Sequence, residues 1–122
     1  MLNIKKLIKS FRHAFRGLWY VFREEQNFRV HVALGLLVIF LSTFLSLNSL
    51  EFVIILLSIS GLLFLEIINT AFEKIIDVLK PRVHHYAGII KDIMAAAVFI
   101  GAITCALAVI IIFVPKIVQL FD

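Results

Sequence analysis

Three stretches of this chain carry no formal charge: Val32 to Leu50, Phe52 to Leu65 and Ile93 to Pro115. Crossing a hydrocarbon core of about 30 Å takes about 20 helical residues, so the first and third runs are long enough to span. The second, at fourteen residues, falls short by itself. Its apolar spacing continues through Ile67, Ile68, Ala71, Phe72, Ile75 and Ile76, which predicts one helix over 51–79 whose last turns leave the membrane. Spans are therefore expected over about 30–49, 51–79 and 91–114. Composition points the same way. The chain is 62% hydrophobic and 16% charged, against about 45–50% and about 25% in an ordinary soluble domain. In 122 residues the surplus has no interior to fill, so it faces lipid.

Residues 1–29 have a different pattern. Ile4, Leu7, Ile8, Phe11, Phe15, Leu18, Trp19 and Phe22 recur at intervals of three and four, with Lys5, Lys6, Lys9, Arg12, His13, Arg16 and Arg23 mostly opposite. This predicts an amphipathic helix lying in the membrane interface. No apolar core with a small-residue cleavage site is present, so a removable leader is not expected. Seven of the twelve Lys and Arg fall in this segment against two glutamates. Beside long apolar runs, such a patch reads as contact with an anionic membrane surface and not with nucleic acid. The same rule puts the N-terminal segment and the 74–91 region in the cytoplasm, and the turn at 46–51 and the C-terminal tail outside. The fold expected is thus a single all-α integral membrane domain over 1–122: three transmembrane helices after an interfacial one.

Ionisable residues within spans are expensive and mark function. Glu66, Asn69, Thr70, Glu73 and Asp77 share one face of the second span, within an arc of roughly 100°. Glu66 lies about 9 Å inside the expected cytoplasmic boundary, where a carboxylate needs a partner. Simple interhelical hydrogen bonding accounts poorly for a second and third acid along the same stripe. Near the expected boundary stand Lys74, Lys80, Arg82, Lys91 and Asp92. Acids that can hold a divalent cation, cations that can hold phosphate, and a deeper carboxylate that can take a proton are the parts of phosphoryl transfer. The five glycines are too scattered for a P-loop or a kinase glycine loop. His84 and His85 are adjacent and project apart, a poor zinc site. Lone Cys105 reads as packing and forms no internal disulfide.

The run Glu66-Ile67-Ile68-Asn69-Thr70-Ala71-Phe72-Glu73, followed by Lys91-Asp92, resembles the signature of the prokaryotic integral-membrane diacylglycerol kinase family. Glu25-Gln26-Asn27-Phe28-Arg29 and Gly17 match it as well, so the resemblance covers nearly the whole chain. It implies a homotrimer in the bacterial inner membrane, with cytoplasmic active sites between subunits that join ATP to a lipid alcohol. It further implies Glu66 as general base, Glu25 and Glu73 as holders of the Mg2+ of MgATP, and Asn69 as a positioning group. Lys91 and Asp92 would contact the nucleotide, while Lys6, His13, Arg82 and His84 would contact or neighbour it. Gly88 and Ala96 depart from the family pattern, where lysine and glycine are common. The Lys9-Ser10-Phe11 opening, His31 and the tail Ile112-Phe113-Val114-Pro115-Lys116 are similar to the undecaprenol kinase branch, with diacylglycerol as the alternative acceptor. A carboxylate-dependent transporter and a membrane adaptor are the remaining readings.

Overall fold

Asn3 opens the first helix, its side chain accepting the Lys6 N–H at 3.2 Å, the usual way of satisfying a donor that the first turn leaves free. In the computed structural model, which describes residues 1–122, helix α1 runs Ile4–Glu24 and α2 Gln26–Ser42. Glu25 alone separates them, in extended conformation at φ −112° and ψ 112°. Arg29 holds this elbow. Its Nη1 donates to the carbonyls of Phe22 at 2.9 Å and Arg23 at 2.8 Å, which belong to the last turn of α1 and lack partners within it.

Helix α2 ends at Ser42, seven residues short of the boundary expected at 49. Ser42 Oγ donates back to the Val38 carbonyl at 2.8 Å and Thr43 Oγ1 to Phe40 at 2.7 Å, the local bonding with which hydroxyl side chains compete with a helix ladder. Ser46 then takes a left-handed φ of 55°. Asn48 starts α3, Ser49–Leu79, through a capping box with Glu51. After the Lys80-Pro81-Arg82 turn, α4 occupies His84–Phe121. It begins earlier than the expected 91 and continues past Pro115, where a helix end had been anticipated. Ala87 is buried in its second turn, so packing extends the helix backward. Beyond Pro115, Lys116 Nζ reaches Glu51 at 3.2 Å and ties the continued helix to α3. At about 1.5 Å per residue α3 is roughly 46 Å long and α4 roughly 57 Å, so both extend beyond a membrane core. Both are apolar enough to cross it; α2 is a shorter apolar helix.

The three apolar helices run antiparallel in sequence. Two glycines set how closely they approach. A Cβ at Gly35 would stand 2.9 Å from Ile59 Cγ2, and one at Gly101 would stand 2.6 Å from Leu65 Cδ1. Ion pairs Asp77–Lys91 and Glu51–Lys116 mark the two ends of the α3/α4 pair. Ile55, Ile59, Ile112 and Phe113 form the core, toward the end where α2 turns into α3. Only 13 of 122 residues are buried, so most of the apolar surface faces outward, as suits a chain surrounded by lipid. Phe11, Phe15, Leu18 and Trp19 of α1 are among the uncovered side chains.

Candidate active site

Glu66 is 3% exposed on α3, in a position where an unpartnered carboxylate would be costly. Its partner comes from α2. His31 Nδ1 lies 2.8 Å from Glu66 Oε1, within the range of charge-assisted bonds. Opposite an ionised carboxylate, which only accepts, the imidazole donates through Nδ1. One turn further along α3, the buried Thr70 hydroxyl donates to the Glu66 carbonyl at 2.9 Å.

The elbow between α1 and α2 brings a second acid to this end of the bundle. Partial burial, followed by the neighbouring charges of Glu73 and Glu66, raises the Glu25 carboxyl above the ordinary carboxylate range, while Lys74 opposes the shift. Three acids thus share one field, one from the α1/α2 corner and two from α3. No group of three His, Cys, Asp or Glu side chains is arranged to enclose a metal. That suits Mg2+, which commonly takes one or two protein carboxylates and completes its shell with water and substrate phosphates. The like-charge crowding at Glu25 is what a bound cation would relieve.

Two clefts are lined by residues bonded to Glu66. A groove of about 440 Å³ between α1 and α3 is lined by His13, Arg16, Gly17, Tyr20, Thr70 and Lys74, among others. Lys74 Nζ lies 5.5 Å from the centre of the Tyr20 ring. Three nitrogen-bearing side chains around a glycine suit an anion such as a polyphosphate. The second cleft, of about 400 Å³, lies among α2, α3 and α4 and is almost wholly apolar, with His31 beside Leu34, Leu62 and Leu63. Thr70, which bonds the Glu66 backbone carbonyl, lines the first cleft, and His31, which bonds its carboxylate, lines the second.

Of the residues singled out from sequence, Glu66, Glu25 and Glu73 come together, and His13 lines the cationic groove. Asn69 and Glu73 are half-buried on the same helix. Lys91 Nζ pairs with Asp77 at 3.0 Å, at the cytoplasmic end expected for α3 and α4. Lys6, Arg82, His84 and Asp92 are exposed and form no ion pair within the chain. Sequence reasoning missed His31 as the partner of Glu66 and Arg16 as a groove cation; Lys74 it placed among the cations able to hold phosphate. The available signal for His31 was a polar ring at the start of an apolar run, six positions after Glu25.

The family model described as prokaryotic diacylglycerol kinase matches residues 12–113. An undecaprenol kinase of Bacillus subtilis is 36% identical over 114 residues, covering 93% of each chain. A diacylglycerol kinase of Synechocystis is 32% identical, covering 93% of this chain and 66% of the relative. A diacylglycerol kinase of Haemophilus influenzae is 30% identical, covering 81% and 84%.

Proposed function

The chain belongs to the prokaryotic diacylglycerol kinase family and is a membrane lipid kinase; on that premise we propose that it transfers the γ-phosphoryl group of MgATP to the hydroxyl of undecaprenol. The observation that carries the reading is the buried Glu66, whose carboxylate is bonded to His31 of an apolar cleft and which stands one turn from Thr70 of a cationic groove. The lipid enters sideways from the bilayer with its chain in the apolar cleft, and the nucleotide enters the cationic groove from the cytoplasm. Glu66 takes the proton from the acceptor hydroxyl as its oxygen bonds to the γ-phosphorus and the bond to the β-phosphate oxygen breaks, releasing ADP. Glu25 and Glu73 hold Mg2+, which supplies neutralisation of the charge on the phosphates. Asn69, one turn from both Glu66 and Glu73, orients the reacting groups. His13, Arg16 and Lys74 receive phosphate oxygens. Lys91 and Asp92 contact the nucleotide, with Lys6, Arg82 and His84 around it.

Undecaprenol is favoured because the relative named for it matches at 36% identity over nearly the full length of both chains. Diacylglycerol is the second reading, supported by the names of the other relatives. In both cases α2 serves as a third span and α1 lies in the inner leaflet of the bacterial inner membrane, with the N-terminus cytoplasmic. At about 25 Å, α2 crosses with the help of its apolar turn at 43–47. The small buried fraction of one chain agrees with a homotrimer in which copies cover one another's apolar faces and approach one another's sites. Purified protein in mixed micelles with labelled ATP, offered undecaprenol, diacylglycerol and ceramide in competition, tests the substrate. The highest kcat/KM is expected for undecaprenol, and a higher value for diacylglycerol would reverse the assignment.

A further inference from the structure

Glu66 has three rotatable side-chain bonds, and a base must present one oxygen to its proton in a fixed direction. Oε1 is bonded to His31, and Oε2 makes no hydrogen bond. Every fully enclosed side-chain oxygen or nitrogen has a partner, so Oε2, which has none, is not fully enclosed. The His31 ring is itself firmly placed. Two residues before it, Arg29 is bonded to the end of α1, and four residues after it, Gly35 packs directly on Ile59 of α3. A backbone held on both sides leaves the ring only its own two torsions.

We propose that His31 is a positioning residue for phosphoryl transfer: its Nδ1–H fixes Oε1 of Glu66 and thereby aims Oε2 at the acceptor hydroxyl where the apolar cleft meets the acid cluster. This rests on Glu66 being the base. The donor atom matters. Nδ1 is attached to Cγ, and so is the amide nitrogen of asparagine, whereas the amide nitrogen of glutamine stands one bond further out. Asparagine can therefore reproduce the bond from the same backbone, and glutamine cannot without displacing the carboxylate.

The test compares His31→Ala, His31→Asn and His31→Gln with Glu66→Gln, all in the full chain in lipid micelles, with kcat, the KM for ATP and thermal stability read together. His31→Ala is expected to lower kcat by about a hundredfold, the size of effect that misplacing a catalytic group by about 1 Å produces, with the KM for ATP unchanged. His31→Asn should recover to within about tenfold of the native rate and His31→Gln should not, at equal thermal stability. If the alanine variant does not assemble, the asparagine and glutamine pair decides the matter by the same comparison. Equal activity of those two, or native kcat in His31→Ala, overturns the positioning role while Glu66→Gln remains inactive. Turnover in Glu66→Gln would instead remove the base assignment on which the inference rests.

Discussion

His31 Nδ1 and Glu66 Oε1 meet at 2.8 Å across 35 positions of sequence, joining α2 to α3 through a buried carboxylate. The bond explains how an acid can be 3% exposed on an apolar helix. It also distinguishes the two oxygens of that acid, Oε1 being hydrogen-bonded and Oε2 not.

Glu66→Gln preserves shape and a hydrogen-bonding oxygen but removes the capacity to take a proton. Turnover is expected to fall by at least about a hundredfold, the lower range for general-base catalysis. Binding of a non-hydrolysable ATP analogue should be unchanged, because the cationic groove is formed by other side chains. Single-turnover rates and equilibrium binding on the same preparation check both halves.

Glu25 titrates above the ordinary carboxylate range because it is partly buried and faces Glu73 and Glu66. The sign of the linkage follows. A carboxyl whose folded value is raised favours the folded state when protonated, so this contribution is full below the unfolded value and is lost as pH rises through the folded one. At neutral pH the charged form is therefore a burden in metal-free protein. Glu25→Gln should raise the Tm at pH 7 without metal, and added Mg2+ with nucleotide should stabilise the native chain more than the variant. Thermal melts at pH 5 and pH 7, with and without Mg2+, test this, and the gain from Glu25→Gln should shrink at the lower pH.

Lys91 and Asp77 pair at 3.0 Å with side chains 39% and 53% exposed. Such a pair contributes only about 0–1 kcal/mol to stability. Asp77→Asn is thus expected to leave the Tm nearly unchanged. Lys91→Ala should raise the KM for ATP at least several-fold if Lys91 can exchange Asp77 for a phosphate. Melting curves beside ATP titrations distinguish the two roles.

Gly35 and Gly101 both stand where a methyl group would collide, yet with different neighbours. At Gly35 the obstacle is Ile59 Cγ2, fixed on a β-branched carbon; at Gly101 it is Leu65 Cδ1, the far end of a flexible side chain. Gly35→Ala should destabilise by about 1–3 kcal/mol, as overpacked core positions do. Gly101→Ala should cost less, since a rotamer change relieves it. Because Gly35 lies one turn from His31, the first variant should also lower kcat. Unfolding in a detergent series and initial rates measure these effects.

The helical class, the amphipathic face of α1 and the polar stripe from Glu66 to Asp77 are all legible in the sequence. They depend on periodicity, and an α-helix repeats its own geometry whatever it packs against. The elbow falls within the polar run from Arg23 to Asn27. The helix ends were less legible. Ser42 and Thr43 bond back to α2 and Asn48 caps α3, which shortens α2, while α4 passes Pro115 and Lys116 meets Glu51 beyond it.

From composition and spacing alone it follows that this chain enters a membrane, that its acids line one face, and that a buried Glu66 must have a partner. Which partner, and which of its atoms, was decided by tertiary structure. Helical periodicity and helix backbone hydrogen bonding are set between near neighbours in sequence. A contact of 2.8 Å between α2 and α3 depends on how each helix is rotated about its own axis. That rotation is set by packing such as Gly35 on Ile59, which no periodicity within a single segment contains.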